Sequence, residues 1–159
     1  MTGTPAPELD VVQWFNTGAT GEPPTLAGLR GKVVVLHAFQ MLCPGCVSAG
    51  LPQAKRIAAV FPREEVAVIG LHTVFEHHAA MTPVSLAAFI HEYRLGFPIA
   101  VDRPGGDGPI PHTMAAYGMR GTPSLVLIDR AGMIRHHGFG AEDDLRIGAE
   151  IALLMGEGG

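Results

Sequence analysis

The chain has 159 residues, of which 47% are hydrophobic and 16% charged; this composition is typical of one globular domain, which we take as residues 1–159 with a core over about 7–155. The net charge is −4, and the few Lys and Arg residues are scattered, which argues against a nucleic-acid partner. The apolar runs are far shorter than the roughly 20 residues of a membrane-spanning helix, so no membrane span is expected.

The first ten residues, MTGTPAPELD, lack the basic and apolar regions of a secretory signal. The sequence therefore predicts a cytoplasmic protein, or a periplasmic one if a leader was removed. Two cysteines are too few for a disulfide-built scaffold, and a close pair in a reducing compartment is more often catalytic or metal-binding than structural.

The chain order of apolar patterns and turn signals predicts alternating strands and helices. GKVVVLHAF (31–39) is β-branched and almost wholly apolar, which is typical of a strand buried on both faces. The predicted elements are an N-terminal extension (5–31) with a short strand at 9–13, then a strand at 31–39, a helix at 44–61, a strand at 65–72, a helix at 82–96, a strand at 97–102, a helical turn at 113–118, strands at 124–129 and 133–139, and a helix at 143–155.

Local signals set several of these boundaries. Thr82 and Pro83 are typical of a helix start, and Gly96 of its end. Pro52 is expected to kink the helix at 44–61. The early strand–helix–strand alternation predicts parallel strands and the late hairpin adds antiparallel ones, giving an α/β fold with a mixed sheet flanked by helices.

The segment CPGC contains both cysteines, Cys43 and Cys46, at the start of a predicted helix. Unpaired N–H groups and the helix dipole favour an anion there, and the thiolate is the reactive form of cysteine. We therefore expect Cys43 to be the nucleophile and Cys46, three residues on, to resolve a mixed disulfide. One cysteine pair without correctly spaced histidines does not make a zinc site. Two inert core cysteines are the plainer alternative.

The strand before CPGC, Pro52 in the helix after it and the distant RGTPSLVLID (120–129) together resemble the thioredoxin fold, a three-layer sandwich. The resemblance implies that Pro123 is cis and that Thr122 supplies backbone groups to an extended substrate. An additional helix and strand within 73–102 resemble the insertion of the TlpA-like and redoxin branch. Its other marks are LAGLRGKVVV (26–35) and YGMRGTP (117–123).

The chain departs from that family pattern around the cysteines. Leu42 replaces the usual Trp, so the contact surface stays apolar without an aromatic ring. His37 replaces a buried acidic residue and is a candidate proton acceptor for Cys46, although a histidine that only packs in the core is the alternative. Pro44 and Gly45 differ from the Gly-Pro of thioredoxin, which leaves the reduction potential open.

The predicted function is thiol–disulfide exchange through Cys43 and Cys46, with no cofactor beyond that redox-active disulfide and no metal. The expected partners are protein or small-thiol disulfides and a redox partner that the sequence does not identify. A peroxiredoxin is a second hypothesis, but Leu36 and Gln40 stand where peroxiredoxins have Pro and Thr or Ser. A Sco-like Cu(I) protein is a third, suggested by three histidines in HTVFEHH (72–78).

Overall fold

A computed structural model describes residues 3–18 and 21–158 of the chain. Its strands and helices are β1 (Thr4–Pro5), β2 (Val11–Phe15), β3 (Val33–Phe39), α1 (Leu51–Val60), β4 (Val66–His72), α2 (Pro83–Glu92), β5 (Ile99–Asp102), α3 (His112–Tyr117), β6 (Ser124–Ile128), β7 (Met133–Phe139) and α4 (Asp144–Met155). A π-helical turn, Cys46–Gly50, precedes α1.

The strands form one mixed sheet in the order β1-β7-β6-β3-β4-β5-β2. The neighbours β3, β4 and β5 run parallel, whereas β6 is antiparallel to β3 and pairs with β7 as a hairpin. This confirms the predicted α/β fold with a mixed sheet, because parallel strands come from the strand–helix–strand alternation and antiparallel ones from the hairpin.

Every residue of β3 is buried, as the continuous apolar pattern predicts for a strand with covered faces. One face packs side chains such as Val33, Val35 and Phe39 against α1, α2 and α4. The other face packs Val34 and Leu36 against α3 and the N-terminal segment. The sheet is therefore the middle layer of a three-layer sandwich.

Several predicted boundaries are wrong. The strand expected at 9–13 lies at Val11–Phe15, where it pairs with β5, and the short β1 was not predicted. The helix expected to reach Gly96 ends at Glu92, because Arg94 adopts a left-handed conformation (φ 54°) that stops it earlier.

The helix expected at 44–61 does begin at Pro44, where Val47 donates its N–H to the carbonyl of Cys43, but it continues as the π-helical turn before α1. Leu51 donates its N–H to the carbonyl of Cys46, five residues back. Pro52 directly follows this turn, and because it has no N–H it cannot continue the backbone hydrogen bonds of the helix at that point. The irregular backbone therefore lies between the cysteines and Pro52.

Among the described residues, no helix combines the length and the apolar character needed to cross a membrane.

Candidate functional site

The cysteines lie in the segment that leads from the carboxyl end of β3 into the π-helical turn. Cys43 and Cys46 form a disulfide. Cys43 is partly exposed, whereas Cys46 is fully buried in the core. The backbone N–H of Cys46 lies 3.2 Å from Cys43 Sγ, and this donor would stabilise a thiolate on Cys43. The sulfur that a substrate can reach is therefore the one with a hydrogen-bond donor beside it.

The segment Gly121–Ser124 lies directly against the cysteines, although it is some eighty residues away in the sequence. Cys43 Sγ lies 3.5 Å from the carbonyl oxygen of Thr122. The Thr122–Pro123 peptide bond is cis, the isomer that the resemblance implies. A Cβ atom on Gly45 would lie 3.4 Å from Pro123 Cδ, so the proline ring abuts the turn between the cysteines.

Exposed apolar side chains lie next to Cys43 and next to the loop that contains Thr122. Leu42, the residue before it, has 55% of its surface exposed. Phe139 is 50% exposed, and its ring lies close to Gly121, next to Thr122. Apolar surface that stays exposed beside a reactive sulfur is a suitable contact for a protein substrate.

Three further side chains contact the segment that carries the cysteines: Gln40 and His72, which the sequence raises only in other hypotheses, and Met81, which it does not indicate. Gln40 is buried, accepts a hydrogen bond from the N–H of Phe75 (3.1 Å) and approaches the Thr122 hydroxyl. His72 accepts the N–H of Met41 through Nε2 (3.3 Å). Met81 Sδ lies 3.4 Å from the N–H of Leu42. A polar residue at the end of a buried strand, as at Gln40 and His72, was the available sequence signal.

His37 is buried within β3, and its Nε2 has no hydrogen-bond partner. Burial disfavours the charged imidazolium and lowers the pKa of His37 to about 4. The ring lies against Gly50 in the π-helical turn, because a Cβ atom on Gly50 would be 2.6 Å from His37 Cε1 and 2.9 Å from Pro123 Cβ. The neutral side chain of His37 therefore extends from β3 to the π-helical turn and lies close to Pro123.

A cavity of about 170 Å³ extends from His37 and Pro123 towards polar side chains near the start of α4. At that end, Gln53 donates hydrogen bonds to the carbonyl of Glu142 (2.8 Å) and to Asp144 Oδ1 (2.9 Å). A cavity with polar groups in its lining is suited to holding water.

The described residues include no group of three or more His, Cys, Asp or Glu side chains placed to hold a metal ion. Of the HTVFEHH histidines, His72 is buried beneath the cysteine segment, whereas His77 and His78 are exposed. The three therefore do not share one surface.

A sheet of this topology with a disulfide between Cys43 and Cys46, at a helical start packed against a cis-proline loop, defines the class of thioredoxin-like proteins. A model of the AhpC/TSA family matches residues 2–137. The chain belongs to this family.

Solved structures and curated proteins resemble the chain over most of its length. A thioredoxin-like superfamily protein has 62% identity, a TM-score of 0.93 and coverage of 98% of both chains. A thiol-disulfide isomerase from Corynebacterium glutamicum has 48% identity, a TM-score of 0.92 and the same coverage. Protein DipZ from Mycobacterium bovis is 32% identical over 139 residues, which are 87% of this chain and 19% of that protein. The chain thus spans about a fifth of the length of the curated relatives it matches.

Proposed function

We propose that the chain catalyses thiol–disulfide exchange on protein or small-molecule disulfides, with Cys43 as the attacking sulfur and Cys46 as the resolving one. The observation that carries the proposal is the asymmetry of the pair: Cys43 is partly exposed beside an N–H donor, and Cys46 is fully buried. The thiol-disulfide isomerase that shares 48% of its sequence supports the same chemistry.

The reaction proceeds in two exchanges. In the reduced protein, the Cys43 thiolate attacks one sulfur of a substrate disulfide, which breaks the S–S bond and releases the other sulfur as a thiolate. The Cys46 thiolate then attacks Cys43 in the mixed disulfide, which forms the Cys43–Cys46 bond and releases the second substrate sulfur. The substrate gains two electrons and the protein loses two; the reverse sequence oxidises a substrate dithiol.

Thr122 and Pro123 shape the groove in which the substrate lies. The Thr122 carbonyl is 3.5 Å from Cys43 Sγ, so the backbone of this loop is at hydrogen-bonding reach of a chain linked to that sulfur. Leu42 and Pro44, both exposed, supply contact surface on the other side, and Gly45 lies next to the Pro123 ring.

His37 accepts the proton of the Cys46 thiol during the second exchange. Its Nε2 is unpartnered, and with a pKa of about 4 the imidazole is neutral at neutral pH, so one ring nitrogen has a lone pair that can accept a proton. The same burial makes an isolated imidazolium costly, so His37 holds the proton only while the Cys46 thiolate balances the charge. The cavity behind the ring offers water to carry the proton away.

The decisive experiment follows reduction of insulin by dithiothreitol with the wild-type chain, Cys43→Ser and Cys46→Ser. We expect turnover in the wild type alone. Cys46→Ser should accumulate a mixed disulfide through Cys43, whereas Cys43→Ser should trap none. Equal trapping in both variants would contradict the assigned roles, and no turnover by the wild type would contradict the function.

The family assignment makes peroxide reduction the second candidate, and the same variants test it. A peroxidatic Cys43 would consume hydrogen peroxide with dithiothreitol far faster than it reduces insulin. We expect the opposite ratio, because Gln40 hydrogen-bonds to the N–H of Phe75 and supplies no hydroxyl at the position where peroxiredoxins have Thr or Ser.

A further inference from the structure

A groove of about 510 Å³ lies at the opposite end of the sheet from the cysteines. Its apolar lining comes from Val66–Ile69 at the amino end of β4, from Phe97 and from Ala58 and Ala59. Ala58 and Ala59 lie near the carboxyl end of α1, whereas the cysteines precede its amino end. The groove is therefore separate from the proposed active site.

The sheet itself leaves this space open. β5 pairs with β4 only from Gly70 to His72, so Val66–Ile69 are paired with β3 on one side and with no strand of the described chain on the other. The segment before β5 reaches β4 only at Gly70, which donates its N–H to the carbonyl of Pro98. The groove is the gap beside the unpaired half of β4.

Cationic side chains surround this apolar lining. The four are Lys32, Lys55, Arg63 and Arg94, and Glu22 is the one acidic residue among the described residues that line the groove. In a chain of net charge −4, such an excess of positive charge at one cavity is a local feature of the surface.

The two lysines are fixed next to the two arginines. Lys32 Nζ donates to the carbonyl of Arg63 (3.0 Å), and Lys55 Nζ donates to the carbonyl of Tyr93 (3.0 Å), which precedes Arg94. Within residues 3–18 and 21–158, none of the four forms an ion pair with a carboxylate. No ion pair within those residues therefore neutralises the four charges.

We propose that this groove binds a small amphipathic anion, an organic molecule with an apolar chain or ring and a carboxylate. The apolar lining removes the body of the ligand from water, and the cations offer charge-assisted hydrogen bonds to the carboxylate. The volume of 510 Å³ is that of a small-molecule site, for which about 300–1,000 Å³ is usual.

The test uses dodecanoate and dodecyltrimethylammonium as probes, each below its micelle concentration, because they share an apolar chain and differ in the sign of charge. Titration of the full chain followed by ¹⁵N–¹H NMR should show saturable shifts of the amides of Ala59 and Val68 with dodecanoate. Dodecyltrimethylammonium should bind at least tenfold more weakly, and added salt should weaken dodecanoate binding.

The double variant Arg63→Gln with Arg94→Gln should weaken dodecanoate binding at least tenfold while insulin reduction stays unchanged. Arg146→Gln is the matched control, because Arg146 is exposed on α4 away from the groove. Equal binding of both probes, unchanged affinity in the double variant, shifts centred on Leu42 and Phe139, or no saturable binding would each overturn the proposal. Melting curves of both variants check that the fold is intact.

Discussion

His37 and Gly50 are in direct contact beneath the cysteine pair: a Cβ atom on Gly50 would lie 2.6 Å from Cε1 and 3.0 Å from Nε2 of the imidazole. The contact joins β3, which carries the histidine, to the π-helical turn, which begins with Cys46. The absence of a side chain at position 50 therefore sets how closely the ring approaches the cysteine-bearing turn.

Gly50→Ala should destabilise the fold by about 1–3 kcal/mol, because the new methyl group overpacks against His37 and against Pro123 Cβ at 2.9 Å. Urea unfolding measures the loss. Gly148→Ala is the control, since a Cβ atom there meets nothing within 4 Å in α4 and alanine favours a helix. Equal or greater stability of Gly50→Ala would show that the ring is not confined as described.

His37→Leu should slow the resolution of the mixed disulfide about 100-fold at neutral pH, because the proton acceptor for Cys46 is lost. The first exchange, at Cys43, should change little, so single-turnover kinetics that separate the two steps give the readout. Stability should be retained, since an unpartnered polar atom leaves the core. His91→Gln, at an exposed position, is the control, and an equal loss in both steps would assign His37 a purely structural role.

The sequence predicted the central sheet and the position of both cysteines at a helix start, because both depend on local signals. The continuous apolar run of β3 predicts a strand that is buried on both faces. The CPGC segment at a helix start predicts a cysteine whose thiolate is stabilised and therefore reactive. The sequence predicts helix boundaries less accurately. Gly96 is a typical helix end, but α2 ends earlier because Arg94 adopts a positive φ, which is unusual for arginine.

The supporting residues of the site could not be found from the sequence in the same way. Gln40 accepts a hydrogen bond from Phe75 and approaches Thr122, which are 35 and 82 residues away in the sequence. His72 accepts a hydrogen bond from the N–H of Met41. Such contacts depend on strand order and register. In the sequence alone, Gln40 and His72 therefore cannot be distinguished from other polar residues at the ends of strands. His37 is a candidate only through the resemblance to the family, and its contact with Gly50 lies in the π-helical turn before Pro52, where the sequence predicts a kink but not the form of the backbone.

Gln40→Leu should cost about 1–3 kcal/mol, because the buried N–H of Phe75 loses its acceptor while the volume of the side chain is nearly preserved. Gln13→Leu, at an exposed position of β2, should change the stability far less. Chemical denaturation of both variants is the measurement. If Gln40→Leu matched Gln13→Leu, water would have to replace the lost hydrogen bond.

The stability of the fold should fall as the pH is lowered from about 6.5 to 4, because both buried histidines, His37 and His72, have a folded pKa lowered from 6.5 to about 4 by burial. Above pH 6.5 both histidines are neutral in the folded and the unfolded chain, so they do not make stability depend on pH. Below pH 6.5 they bind protons in the unfolded chain but not in the folded one, which favours unfolding. Each histidine should therefore lower the free energy of unfolding by about 3 kcal/mol between pH 6.5 and 4.

His37→Leu isolates one half of this pH dependence. The variant should lose about half of the histidine-linked decline between pH 6.5 and 4, while the remainder is due to His72, whose Nε2 must stay unprotonated to accept the N–H of Met41. Urea midpoints measured at several pH values provide the curve, and His91→Gln should follow the wild type because His91 is exposed. A decline of the same steepness in His37→Leu would mean that His37 is already protonated in the folded chain at pH 6.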